Sequence, residues 1–340
     1  SFIFSIKCSL FIRVNMSNDR FISFFTFILK GILTQEISYH LKEVYRDEYH
    51  SYIAASYVKF IEGAGGRVVP IWIGKDTEYY RSILGKINGI LLPGGTAPFD
   101  ETGGYAEAGS EIYKIAKMLN QKGDYFPIIG ICLGFELLTY VAANNVAHRI
   151  TCSSQGQSLP LNFEQVYKTS RLFGNASLDI INILKTENVT SNFHKYCITK
   201  ENVHLDEDFR ITSYNTDLDG LEFVSSLEHD SLPFYGLQFH PEKNLYEWIK
   251  NENIPHTANA VRVSQYFANF VVNEARKSIH RFPNDTEELR SLIYNYPTFY
   301  TGLEGSSFQQ CYLFEGNQLK KKTWTGDVTY PFLIDVVLNG

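Results

Sequence analysis

The stretch Pro127-Ile128-Ile129-Gly130-Ile131-Cys132-Leu133-Gly134-Phe135-Glu136-Leu137-Leu138 decides the fold. Pro127 to Ile131 is a short apolar run that reads as a buried strand, and Phe135 to Ala143 continues as a helix. At the corner between them stands G-x-C-x-G. A nucleophile on such a strand-to-helix turn sits in strained backbone, and glycines two residues to either side permit the close chain approach it needs. The helix N-terminus, with its dipole and free N–H groups, favours a thiolate over a thiol, and the Leu133 N–H is positioned to donate to an oxyanion. Taken alone, the motif also reads as a buried structural cysteine flanked by tight-packing glycines.

Working outward from this corner, short apolar runs alternate with helical segments, as in a parallel sheet covered on both faces. Strands are predicted at Leu29 to Thr34, Arg67 to Ile73, Gly89 to Leu92, Ala147 to Cys152, Leu221 to Leu227 and Phe234 to Phe239. Tyr52 to Glu62, Tyr105 to Asn120 and Asn259 to Ala275 carry apolar residues at helical spacing. The expected class is α/β. No linker, composition break or repeat divides the chain, which reads as a single domain over 29–315, preceded by an extension or aberrant leader at 1–28 and followed by a tail at 316–340.

Two further segments complete a chemical constellation. Pro93-Gly94-Gly95 follows a predicted strand, and its amides, that of Gly95 in particular, are candidates for a second oxyanion donor, although most such glycine pairs are plain turns. The strand Phe234 to Phe239 runs into His240-Pro241-Glu242. Pro241 keeps its predecessor extended, and in extended chain residues i and i+2 share a side, so Glu242 lies on the same face as His240. The carboxylate then holds one imidazole nitrogen while the other is left for the Cys132 sulfur. Both elements lie at carboxyl ends of strands, where open α/β sheets build their sites.

Composition excludes several alternatives. The 340 residues are 44% hydrophobic and 20% charged, ordinary for a packed globular chain. A net charge of −6 offers no global field for nucleic acid or anionic lipid. The early apolar stretch Phe21 to Leu29 is too short for a membrane span, though read from Met16 it has the outline of a weak signal peptide without a small-residue cleavage site. Four sequons, at Asn15, Asn175, Asn188 and Asn284, suit secretory traffic. Five cysteines, an odd number without C-x-x-C spacing, argue against a disulfide framework or a zinc site.

The sequence resembles the class I glutamine amidotransferase-like superfamily and, within it, the γ-glutamyl hydrolase family. The segments that carry the resemblance are YIAASYVKFIEGAGGRVVP (52–70), INGILLPGG (87–95), GDYFPIIGICLGFELL (123–138), LPLNF (159–163), NFHKY (192–196), YGLQFHPEKNLYEW (235–248) and SSFQQCYLFE (306–315). YEW and SSFQQC are more specific to the hydrolases than the Cys/His/Glu set, which the whole superfamily shares. The resemblance implies a flavodoxin-like three-layer αβα sandwich with a mostly parallel central sheet, no metal or cofactor, a homodimer, and lysosomal or extracellular residence. Its implied activity is thioester-mediated hydrolysis of folylpoly-γ-glutamates, a small-molecule substrate. A superfamily glutaminase and an inactive pocket-binding homologue are the alternatives.

It further implies Cys132 as nucleophile, His240 as base, Glu242 as its orienting group, and Tyr57, Glu136, His194 and Gln238 as substrate-pocket residues. Each of three has a plainer reading beside it. Tyr57 lies on an apolar helix face, Glu136 complements a helix dipole if it does not receive a substrate ammonium, and His194 reads equally as a loop residue. Lys195 and Lys243 are candidates for offsetting repulsion between an acidic protein and an anionic substrate.

Overall fold

The computed structural model describes residues 28–201, 209–250 and 252–316. Apart from Ile28 and Gly316, the extension and tail expected at the two ends lie outside them, as do the Asn15 sequon and Cys8. The strands are β1 (Leu29–Leu33), β2 (Gln35–Glu36), β3 (Ser51–Ala54), β4 (Arg67–Ile71), β5 (Ile90–Leu92), β6 (Ile128–Ile131) and β7 (Ile150–Leu159). They continue with β8 (Asn162–Phe163), β9 (Thr190–Cys197), β10 (Phe209–Thr216), β11 (Glu222–His229), β12 (Phe234–Leu237), β13 (Thr298–Phe299) and β14 (Cys311–Phe314). The helices are α1 (Tyr39–Tyr45), α2 (Ala55–Glu62), α3 (Thr77–Leu84), α4 (Tyr105–Gln121), α5 (Leu133–Ala142), α6 (Leu178–Thr186), α7 (Lys243–Tyr246), α8 (Ala258–Ala275) and α9 (Asp285–Ser291).

The main sheet runs β4-β1-β5-β6-β12-β11-β10-β8. Its first five strands pair in parallel and the remaining three antiparallel. Side chains alternate across it with the period of two expected of strands. Leu91, Ile129 and Ile131 enter one apolar cluster with Tyr57, Val58 and Ile61 of α2 and Val263, Phe267 and Val271 of α8. Ile90, Leu92 and Ile128 enter another with Tyr80 of α3, Ile112 of α4 and Leu137 of α5. Helices therefore cover both faces and the architecture is the expected α/β three-layer sandwich. Each fully buried aliphatic side chain in these layers contributes about 1.5–3 kcal/mol.

Where the sequence pattern was misleading, tertiary pairing explains the difference. The run expected as one helix over Tyr52 to Glu62 begins as β3, because this segment is held between β2 and β14, with Ile53 opposite Tyr312; only from Ala55 does it become α2. The strand expected at Ala147 to Cys152 starts at Ile150 and joins no central strand; it forms an antiparallel ribbon with β9. Helix α3 has little apolar signal and is marked instead by its cap, Asp76, whose carboxylate accepts from Tyr79 N at 2.8 Å. Among the described residues, no helix is long and apolar enough to cross a membrane.

The β7–β9 ribbon also corrects the cysteine reading. Cys152 and Cys197 form a disulfide across it, while Cys132 and Cys311 keep free thiols. The bond closes a separation of 45 residues, so its absence from the sequence reading has a simple cause: only strand pairing brings the two together. Replacing both by serine is expected to cost about 2–4 kcal/mol, chiefly through the freer unfolded chain. Thermal unfolding of the double variant checks this, and an unchanged Tm would mean that the bond carries no stability.

Candidate active site

Three adjacent parallel strands end at one place. Leu92 of β5 lies opposite Gly130 of β6, and Ile131 of β6 lies opposite Leu237 of β12. The residues that follow, Pro93-Gly94-Gly95, Cys132 and Gln238 to Glu242, therefore emerge side by side from the sheet's carboxyl edge. Cys132 N donates to Leu237 O at 2.7 Å, which ties the second to the third.

Cys132 has φ 51° and ψ −110°, a left-handed conformation that costs a non-glycine residue about 1–3 kcal/mol and persists only where its surroundings enforce it. The neighbours do so. A Cβ on Gly134 would lie 1.9 Å from Leu92 O, and one on Gly130 would lie 2.4 Å from Gly134 O. Only glycine fits at either position, so the turn folds as tightly as the motif predicts. Leu133 N–H donates to the Cys132 sulfur.

Gly94 is where the remaining groups converge. A Cβ there would meet Tyr57 Oη at 2.6 Å, His240 Cε1 at 2.8 Å and Cys132 Cβ at 3.0 Å. The cysteine and the imidazole thus flank the same glycine. His240 Nδ1 lies 2.7 Å from Glu242 Oε1. A carboxylate only accepts, so Nδ1 carries the proton and Nε2 is left as an acceptor. Tyr57, expected either as core or as pocket, is both: its ring is fully buried, while its hydroxyl accepts from Gly94 N at 2.8 Å and lies 3.2 Å from His240 Nδ1.

The glycine loop is clamped by side chains that sequence reading missed. Gln35 Nε2 donates to Pro93 O at 2.8 Å and Gly94 O at 3.2 Å, and Tyr105 Oη donates to Pro93 O at 2.7 Å. A Cβ on Gly95 would lie 1.8 Å from Gln35 Oε1, so a side chain there would displace the clamping amide. Gln35, the first residue of β2, lies two residues beyond the end of β1, and its position past a strand's carboxyl end was a usable signal. Tyr105, at the start of α4, offered none.

Glu136 and Gln238 meet beside the elbow, with Gln238 Nε2 donating to Glu136 Oε1 at 3.2 Å. Glu136 Oε2 receives Arg149 Nη1 at 2.8 Å. Burial raises the Glu136 carboxyl above its ordinary range, and Arg149 opposes the shift. Lys243 is buried, with Nζ 4.8 Å from the centroids of both Phe193 and Phe308, whereas Lys195 is exposed. His194 is buried rather than on a loop. Its ring nitrogens contact Tyr196 O at 3.0 Å and Asn192 Oδ1 at 3.2 Å, and Nδ1 lies 3.6 Å from Cys152 Sγ. Burial, and secondarily the charge of His240, depress its pKa to about 3, so the ring is neutral.

The sulfur itself departs from the expectation of a resting thiolate. Burial, then the charges of Glu136 and Glu242, push the Cys132 thiol well up, and the Leu133 N–H bond and Lys243 only oppose this. Desolvation of a small anion outweighs one helix terminus. Cys132 at rest is therefore a thiol.

A strand-end cysteine elbow beside a histidine–carboxylate pair is compatible with a cysteine hydrolase. A profile of the peptidase C26 family matches residues 29–242. The chain is 43% identical over 288 residues to a gamma-glutamyl hydrolase of Rattus norvegicus, covering 84% of this chain and 88% of that one. It is 39% identical over 289 residues to the gamma-glutamyl hydrolase of Homo sapiens, covering 84% and 89%. The chain belongs to the peptidase C26 family.

Two substitutions probe the geometry. Gly94→Ala should lower turnover by about 10²-fold, because the added methyl separates groups whose spacing must hold to within about 1 Å; near-normal turnover would contradict the convergence on this glycine. Glu136 raises the Cys132 pKa, so Glu136→Gln should move the pH profile of Cys132 alkylation to lower pH. A profile that stays in place or moves upward would contradict that coupling.

Proposed function

We propose that the chain hydrolyses γ-glutamyl peptide bonds of folylpoly-γ-glutamates with Cys132 as nucleophile, His240 as base and Glu242 as the group that orients it. The observation that carries this reading is the packing of Cys132, His240 and Tyr57 around Gly94. The substrate class is inferred from the gamma-glutamyl hydrolases to which the chain is similar.

In the proposed cycle His240 Nε2 takes the Cys132 proton as sulfur bonds to the γ-carbonyl carbon. The carbonyl electrons move onto oxygen, which is held by the amides of Leu133 and Gly95. Collapse of this oxyanion breaks the C–N bond, and His240 returns the proton to the departing amine. Water then attacks the thioester, losing its proton to His240, and the free γ-carboxyl product leaves as the proton passes back to sulfur. Glu242 stabilises the imidazolium in both halves of the cycle. Because the resting sulfur is a thiol, this proton transfer is part of each attack. Glu136 and Gln238 line the pocket beside the sulfur, Lys243 lends positive charge to it, and His194 acts as a neutral wall group.

Finer features follow from the same reading. A disulfide suits an oxidising compartment, and Asn175, Asn188 and Asn284 are exposed, which together favour a glycosylated protein in the lysosome or outside the cell. We also expect a homodimer, and a homogeneous monomer mass in solution would exclude it.

Cys132→Ala should reduce release of glutamate from a pteroylpoly-γ-glutamate by about 10⁴-fold or more, and Glu242→Gln by about 10²-fold or more. Chain length followed by chromatography, with ammonia release from glutamine measured in parallel, checks the proposal. Turnover in Cys132→Ala, or ammonia as the sole product, would reject it.

A further inference from the structure

We propose that Arg149 is a specificity-determining residue of this cleft and that its guanidinium binds the α-carboxylate of the glutamyl residue whose γ-carbonyl Cys132 attacks. The inference rests on the γ-glutamyl reading and deepens it by assigning a recognition element of the substrate.

Three segments far apart in sequence close on this one side chain. The guanidinium carbon lies 4.0 Å from the ring centroid of Phe99, in the connection after the Pro93-Gly94-Gly95 loop, and 5.0 Å from that of Tyr196, at the end of β9. Nη1 donates to Glu136 Oε2 at 2.8 Å. Glu136 is one helical turn beyond Cys132 and is joined through Gln238 to the strand end that carries His240. The guanidinium is therefore one side chain, Glu136, removed from the start of the helix that follows Cys132, and two, Glu136 and Gln238, from the strand end that carries His240.

Exposure rises along this line. Glu136 is 2% exposed, the Arg149 side chain 24% and Tyr196 48%, so Arg149 stands where the buried site opens to solvent. The guanidinium carbon lies over both rings. One donor is spent on Glu136, and the fork has five, enough to take a carboxylate bidentately. The α-carbon of a glutamyl residue also bears a nitrogen, and buried Gln238 Oε1 has no hydrogen-bond partner among the described residues. Gln238 for the nitrogen and Arg149 for the carboxylate satisfy both substituents of one carbon.

Charge points the same way. An anionic ligand must approach Glu136 and Glu242 in a chain of net charge −6. Lys243 is buried between two rings with its Nζ on Ser307 O at 3.4 Å. Arg149 is partly open and retains unspent donors.

The test compares two pteroyl-γ-glutamyl substrates that differ only at the acyl-side glutamate, one with a free α-carboxylate and one with an α-carboxamide. For Arg149→Gln, KM for the carboxylate substrate should rise about tenfold or more with kcat within a few-fold, and KM for the carboxamide should hardly change. Arg149→Lys should recover part of the loss. Because Arg149→Gln also leaves Glu136 buried without its cation, binding of both ligands to Cys132→Ser with and without the substitution provides a second readout free of turnover. Equal losses on the two substrates, or a fall in kcat at constant KM, would overturn the assignment while leaving the γ-glutamyl reading intact. Wild-type protein that cleaves neither substrate would overturn both.

Discussion

Everything at the site depends on the backbone being driven into a left-handed conformation at Cys132. No single bond enforces that conformation. It follows from the lack of room around it, with Leu92 O against the α-carbon of Gly134 and Gly134 O against that of Gly130. Side chains at either glycine would separate β5, β6 and α5. The strand-to-helix corner would relax, and Cys132 would no longer stand beside Gly94. The strain is sustained by the surrounding sheet, whose two apolar layers leave the three strand ends no freedom to part.

The electrostatics follow from that compression. A site closed enough to hold Cys132, His240, Tyr57 and Glu242 against one another is also dry, and dryness penalises the thiolate more than a helix terminus rewards it. Charge in this region is consequently handled in pairs: Glu242 with His240, Glu136 with Arg149, Lys243 with two aromatic rings. The pair reaching furthest outward is Glu136–Arg149, whose guanidinium is partly open to solvent. The β7–β9 ribbon walls the same side, with Phe193 against His240 and Tyr196 against Arg149, and its disulfide pins that wall.

Much of the frame was legible because it is local. Six of the strands in the main sheet, together with α4, α5 and α8, announce themselves by apolar runs or helical spacing, and the G-x-C-x-G corner by its glycines. His240 and Glu242 were readable as a pair because proline restricts the chain between them to one geometry. What escaped was non-local. β3 lost its strand character behind a helix-like pattern. Gln35, Tyr105 and Arg149 carry no motif, and their roles come from what they touch. Cys152 and Cys197 looked like leftovers of an odd count.

The sequence by itself determined the alternation of strands and helices through the parallel part of the main sheet, the corner that exposes a cysteine, and the proximity of a histidine to its carboxylate, since each of these depends on periodicity or on steric limits within a few residues. Only the tertiary structure decided that Cys132 rests as a thiol, that Tyr57 serves the imidazole as well as the core, that His194 is a neutral buried ring, and that Arg149 stands at the mouth. Those properties depend on desolvation and on neighbours tens to hundreds of residues away in sequence, which no local pattern encodes.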